Sequence, residues 1–168
     1  MKGLEEWGKE CGTDKGTLHN YLGVYEALLG WRRAVPGVLV EFGVQSGASL
    51  RMWARWLPLW KIIGIDVRGI AVDDWPDNVF VYWGDCRMGP VVGLDRPDVV
   101  IDDASHERRQ IADAYTVWWP FVKAGGLYVV EDVHKTRLNW DQDRMGAGWI
   151  RMETGPGFDD MLMVKTKE

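Results

Sequence analysis

The sequence predicts a single α/β domain: a doubly wound, mostly parallel sheet of seven strands, finished by an antiparallel hairpin. Three observations predict it. Short apolar runs rich in β-branched residues alternate with segments whose apolar side chains recur at helical spacing, as parallel strands with right-handed helical crossovers do. Each of these runs meets one or two acids at its carboxyl end. Near the C-terminus two strand-like runs flank a Gly155-Pro-Gly157 turn.

Residues 1–30 read as an N-terminal helical segment, polar and glycine-punctuated as far as Gly12-Thr13-Asp14-Lys15-Gly16. From Thr17, Leu18, Tyr21, Leu22, Tyr25 and Leu29 keep helical spacing, with Asp14 or Thr17 as the cap at the start and Gly30 at the end. The core of the domain is predicted over 38–132. Val38-Leu39-Val40 ends on Glu41, and a loop holding Gly43 and Gly47 follows. Leu50, Trp53, Ala54 and Leu57 then mark one buried helix face, stopped by Pro58.

Lys61 to Asp66 is a second buried strand. Residues 68–78 read as a short helix and turn, Asn78 to Asp85 as a third strand and Asp98 to Asp103 as a fourth. A long helix carries Ile111, Ala114, Tyr115, Trp118 and Val122 on one face and stops at Gly125-Gly126, and Leu127 to Asp132 is the fifth strand. Trp149 to Thr154 and Met161 to Thr166 form the hairpin, within 149–166. There is no internal repeat, low-complexity tract or linker.

The 168 residues suffice for one domain with a real core, and a net charge of −5 gives no electrostatic footprint for nucleic acid. No apolar run approaches the roughly 20 residues that span a bilayer, and Met1 to Trp7 lacks the apolar core of a signal peptide. Cys11 and Cys86 lie far apart and form no metal or redox pair by spacing. The expectation is a cytoplasmic, reduced protein. Its 11 tryptophans read first as core filling between helices and sheet, and secondarily as a site lining, with Trp140 and Trp149 the candidates.

Glu41, Asp66, Asp85, Asp102, Asp103, Glu131 and Asp132 all fall at carboxyl ends of predicted strands, the edge where open α/β sheets bind ligands. Crowded carboxylates repel, so they call for a cation or hydrogen-bond donors. A dinucleotide loop wants G-x-G-x-x-G, yet the loop here is Gly43-Val44-Gln45-Ser46-Gly47, without the second glycine and with no P-loop lysine. A phosphate ligand is therefore disfavoured.

Glu-x-Gly-x-x-x-Gly after the first strand, an acid ending the second and Gly84-Asp85 ending the third resemble a class I S-adenosylmethionine-dependent methyltransferase, a Rossmann-like fold. Gly47-Ala-Ser-Leu-Arg-Met-Trp53, Ile101-Asp-Asp-Ala-Ser-His106 and Gly125-Gly-Leu-Tyr-Val-Val-Glu-Asp132 resemble more specifically the metal-dependent O-methyltransferases of macrolide sugars, of the mycinamicin and tylosin tailoring type. Thr13-Asp-Lys15 and His19-x-Tyr21 fit the same group.

The resemblance implies S-adenosylmethionine as cofactor. Gly43, Gln45 and Gly47 line its methionine part, Glu41 holds the loop and the cofactor amino group, Asp66 accepts the ribose hydroxyls and Asp85 stands near the adenine amino group. Asp102 joins this cofactor set, and Lys15 or Tyr21 meets the cofactor carboxylate. It also implies Asp103, Glu131 and Asp132 as ligands of Mg²⁺ or Mn²⁺, hard ions that suit oxygen. His106, at the start of the long helix, is the implied base; the positive end of a helix favours the neutral, proton-accepting imidazole. Asp103 is catalytic with it, because a sulfonium methyl needs an acceptor hydroxyl that is oriented and activated.

The plainer alternatives are that Asp103 or Ser105 caps the helix, that His106 is a surface residue, and that Glu131 and Asp132 are a solvated strand end. The chain is shorter than the macrolide enzymes, with 135–148 alone as a loop over the site. It predicts a small hydroxylated substrate, free or enclosed at a homo-oligomer interface or by a partner. A methyltransferase-like module that binds cofactor without transfer is the second reading, and a nucleotide-dependent oxidoreductase the third.

Overall fold

In the computed structural model, which describes residues 2–69, 74–90, 92–134, 142–157 and 161–168, the five predicted parallel runs become β1 (Gly37–Phe42), β2 (Trp60–Asp66), β3 (Val79–Trp83), β4 (Val99–Asp102) and β5 (Leu127–Val130). β6 (Ile150–Glu153) and β7 (Met161–Thr166) form the hairpin. They make one seven-stranded sheet in the order β3-β2-β1-β4-β5-β7-β6, parallel except where β7 meets β5 and β6. This is the predicted architecture, a Rossmann-like methyltransferase fold.

The chain steps outward from β1 to β2 and β3, then returns to pair β4 on the opposite side of β1. That reversal opens a crevice beyond the carboxyl ends of β1 and β4. Register sets its depth: Phe42 lies opposite both Ile65 and Asp102, and Asp102 opposite Val130. Glu41, Asp66, Asp102 and Glu131 therefore share one rim.

The strands are buried on both faces, so two cores form. One packs Tyr25, Trp53, Trp56 and Trp60 between the sheet and α1 (Leu4–Cys11), α2 (Leu22–Leu29) and α3 (Ala48–Trp56). The other packs Phe42, Tyr115, Trp118 and Tyr128 beneath α4 (Arg108–Trp118). Tryptophan as core filler holds for Trp53, Trp56, Trp60 and Trp118, while Trp31 and Trp83 are exposed. Trp149 packs on Tyr115 and Tyr128, away from the crevice. Trp140 lies outside the described residues.

Two local expectations change. Residues 4–11 are helical although they read as polar, because the buried face carries a glycine. A Cβ on Gly8 would stand 2.5 Å from Leu22 Cδ1, so close packing removed the apolar residue that would have completed the pattern. The helix expected from Thr17 starts at Leu22. A 3₁₀ turn, Asp14–Gly16, precedes it, Asn20 takes a left-handed φ of 56°, and Leu18 faces solvent. Gly30 caps the end of that helix as expected, with right-handed angles, and runs into a further 3₁₀ turn. Of the short helix and turn expected in 68–78, the turn lies at Asp77 and Asn78, and 70–73 lie outside the described residues.

The predicted loop over 135–148 holds a short helix, α5 (Gln142–Met145), with 135–141 outside the described residues. Among the described residues no helix is long and apolar enough to cross a membrane.

Candidate active site

The crevice is an open cleft of about 970 Å³, within the range of small-molecule sites. Its walls are the Thr13-Asp14-Lys15 turn, the loop from Gly43 to Ser49, the ends of β2 and β3, the turn from Asp102 to His106, and Asp132. The loop is tight for a reason internal to the protein. A Cβ on Gly43 would meet the Asp103 carbonyl oxygen at 2.1 Å, and one on Gly47 would meet the Trp75 ring at 2.2 Å. Both residues take positive φ, as does Gln45 between them. Gly43 thus lets two loops touch, which holds the glycine-loop wall against the acid-bearing turn.

Asp66 braces that wall. Its Oδ2 accepts the N–H of Val44 at 2.8 Å and of Gln45 at 3.3 Å, and its Oδ1 accepts the N–H of Arg68 at 2.8 Å. Burial works to raise its pKa, but these three backbone donors outweigh burial and hold it below the usual carboxylate range. Asp85, two residues beyond β3, is held low by the side chain of Arg87, whose guanidinium reaches Oδ2 at 2.6 Å.

Glu41 is fully buried. Its Oε2 accepts the Trp53 indole N–H at 2.7 Å, and Lys15 Nζ lies 3.4 Å from Oε1. Burial raises its pKa against the pull of Lys15.

Asp102 is buried, and burial pushes it up to about 6 although the Ala104 N–H and the Tyr128 hydroxyl favour its charge. A carboxyl raised from 3.8 to about 6 binds its proton more tightly folded than unfolded. Its contribution to stability is therefore present in acid and lost as the pH rises through that window. Asp102→Asn keeps an oxygen acceptor and is expected to raise stability at pH 7 by at most about 3 kcal/mol. Urea melts across pH should also show a flatter fall between about pH 4 and 6. A variant no more stable at pH 7, with the slope unchanged, would remove Asp102 as its source.

The metal-site candidates divide into two groups. Asp103, His106 and Asp132 each offer one ligand atom, and these atoms lie within 4.8 Å of one another. His106 Nε2 stands 4.0 Å from Asp103 Oδ1 and 3.7 Å from Asp132 Oδ2. The two carboxylates face a water-accessible cleft and are chemically suitable donors for a divalent ion of the Mg²⁺ or Mn²⁺ kind, with the imidazole beside them. Glu131 turns inward instead. It is 2% exposed, accepts the Tyr25 hydroxyl at 2.5 Å on Oε1 and the Lys15 ammonium at 2.6 Å on Oε2. Burial drives its pKa well above the usual range, and Asp103 and Glu41 push the same way.

Lys15 joins the two groups, because the same ammonium reaches Asp103 Oδ2 at 2.6 Å. Burial opposes its charge, but Asp103, Glu131 and Glu41 outweigh burial and keep it protonated. Tyr21, expected at the cofactor carboxylate, is fully buried and donates to Asp132 Oδ1 at 2.7 Å. His106 does not sit in the first turn of α4. It precedes the Glu107 cap, with a left-handed φ of 54°. Asp132 is also left-handed, at 54°, and these two bends turn both side chains to one point.

Sequence reasoning missed the three hydrogen-bond donors Tyr25, Trp53 and Tyr128. All three read as core aromatics, and in each the ring does pack in the core while its polar tip reaches an acid. Lys15 was read as a cofactor contact; nothing in its surroundings in sequence announces a buried ammonium.

No family model matches the chain. Among curated proteins it is 31% identical over 150 residues to the 8-demethyl-8-α-L-rhamnosyl tetracenomycin-C 2′-O-methyltransferase of Streptomyces olivaceus, covering 79% of this chain and 38% of that protein. It is 35% identical over 98 residues to the mycinamicin VI 2″-O-methyltransferase of Micromonospora griseorubida, covering 52% of this chain and 23% of that protein. The chain thus spans well under half the length of the curated relatives it matches. Among solved structures, the MycE methyltransferase in complex with Mg, SAH and mycinamycin VI superposes with a TM-score of 0.76 at 22% identity, over 99% of this chain and 55% of that one. The shared sheet order with its closing hairpin, the acid-rimmed crevice and these sequence relatives agree: the chain has the fold of the class I S-adenosylmethionine-dependent methyltransferases and is similar in sequence to sugar O-methyltransferases.

Proposed function

We propose that this protein transfers the methyl group of S-adenosylmethionine to a hydroxyl of a small, sugar-like molecule, with a Mg²⁺ or Mn²⁺ ion at the acid cluster. The observation that carries the reading is the convergence of Asp103, His106 and Asp132 on one point of a cleft walled by the Gly43–Gly47 loop. The loop, with Asp66 and Asp85 on the same wall, fits the cofactor by its backbone and its paired carboxylate oxygens. The ion, when bound, lowers the pKa of a coordinated hydroxyl. Asp103 and Asp132 would hold it and orient the acceptor, and His106 Nε2 would take the hydroxyl proton. Tyr21 keeps Asp132 in place by donating to its Oδ1.

S-adenosylhomocysteine is expected to raise the melting temperature, since a ligand that prefers the folded state stabilises it. Methyl transfer to simple glycosides bearing vicinal hydroxyls is expected with Mg²⁺ and to vanish on adding EDTA. No melting shift at millimolar S-adenosylhomocysteine would sink the reading. A shift without transfer to any glycoside would favour a module that holds cofactor only.

A further inference from the structure

We propose that Arg51 and Trp75 form a clamp that holds the glycine loop in the shape the methionine part of the cofactor requires. The proposal rests on the reading that S-adenosylmethionine binds against that loop. Trp75 lies in the crossover from β2 to β3, and Arg51 in the first turn of α3. A Cβ on Gly47 would meet Trp75 Cη2 at 2.2 Å, Trp75 Cζ3 at 2.7 Å and Arg51 Nη1 at 3.1 Å. The bare backbone at Gly47 is therefore what lets the indole and the guanidinium come up to the loop. The guanidinium carbon of Arg51 stands 4.7 Å from the centre of the Trp75 ring. Arg51 Nη1 donates to the Ser46 carbonyl at 3.3 Å, and Nη2 donates to the Asp74 carbonyl at 3.2 Å. One side chain thus ties the loop to the crossover.

The loop has a conformation that calls for such a tie. Gln45 holds a φ of 48°, which a residue with a side chain adopts only where its surroundings fix it. Asp66 fixes one part of the loop by accepting the Val44 and Gln45 N–H groups, and Arg51 fixes the next residue by its carbonyl. Neither Arg51 nor Trp75 is among the residues that wall the cleft, so both act on a ligand through the loop. A planar guanidinium can bridge two carbonyls and stack on a ring at once, whereas an ammonium brings the same charge as a point. Without the clamp the loop holds its binding shape for only a fraction of the time, and affinity falls by that fraction.

Calorimetric titration of the full chain with two ligands tests this: S-adenosylhomocysteine, and 5′-methylthioadenosine, which keeps the nucleoside and sulfur but lacks the amino-acid part. Arg51→Met is expected to weaken S-adenosylhomocysteine about tenfold and methylthioadenosine by no more than about twofold. Arg51→Lys should lose as much as Arg51→Met, because the fork and not the charge makes the clamp. Trp75→Leu should also lose about tenfold, and combining it with Arg51→Met should add no more than about twofold, since both side chains serve one clamp.

An S-adenosylhomocysteine affinity within about twofold of the parent in Arg51→Met overturns the proposal. So does full affinity in Arg51→Lys, which would leave charge as the cause, and so do equal losses for the two ligands, which would report general damage to the fold. Losses that multiply in the double variant would give the two side chains separate roles and dissolve the clamp. If Trp75→Leu does not fold, the two Arg51 variants decide. A parent that binds neither ligand sinks the cofactor reading, and amide hydrogen exchange then decides the clamp separately. The Val44 and Gln45 N–H groups should exchange about tenfold faster in Arg51→Met while those of Ile62 and Ile63 in β2 keep their rates; unchanged loop exchange overturns the clamp.

Discussion

Replacing His106 by asparagine is expected to lower the rate of methyl transfer by about 10²–10⁴-fold, the usual worth of a positioned general base. The affinity for S-adenosylhomocysteine should stay within about twofold, because His106 Nε2 faces Asp103 and Asp132. Asparagine is the right replacement for a backbone reason. His106 sits at a φ of 54°, and asparagine enters the left-handed region far more readily than alanine does. A loss of rate then reports on the imidazole and not on a rearranged turn. Single-turnover kinetics with excess cofactor measures the chemical step, and Mn²⁺ titration of the same variant reads the ion. A rate within tenfold of the parent would remove His106 as the base. A lost rate accompanied by a comparable loss of Mn²⁺ affinity would make it a third ligand.

Gly43→Ala is expected to destabilise the protein by about 3 kcal/mol, near the upper end for a single substitution. The new methyl would overlap the Asp103 carbonyl oxygen at 2.1 Å, and the residue is held at a φ of 84°. The obstacle is backbone, which cannot swing aside as a long side chain can. Gly125→Ala separates the two costs. It takes a similar φ of 73°, but a Cβ there meets nothing within 4 Å. It should cost about 1 kcal/mol, the strain of the angle alone. Urea unfolding of both variants gives the difference. Equal losses would mean that the loop moves away from Asp103 freely and that the close approach does not set the site. Because Asp103 is the residue the glycine touches, Gly43→Ala should also weaken Mn²⁺ binding, while Gly125→Ala should not.

The sequence by itself determined the sheet. Runs such as Lys61 to Asp66 and Leu127 to Val130 are buried on both faces and β-branched, so strand identity needs no information from elsewhere in the chain. The acids ending those runs were legible for the same reason, since position along a strand fixes which edge a residue reaches. The helices on the sheet were legible wherever their buried faces carried large apolar side chains, as in α3 and α4. They failed in α1, where Gly8 stands against Leu22.

Only the tertiary structure decided how the acids are partnered. Glu131 and Asp132 are neighbours in sequence, yet one turns into the core to meet Tyr25 and Lys15 while the other turns to His106. That division depends on a lysine 116 residues away from Glu131 and on left-handed bends at His106 and Asp132. Contacts of that span, and backbone angles taken against residue preference, are set by which groups packing brings together. Hydrophobic periodicity reports burial of a face; it carries no information about which charge a buried ammonium will meet.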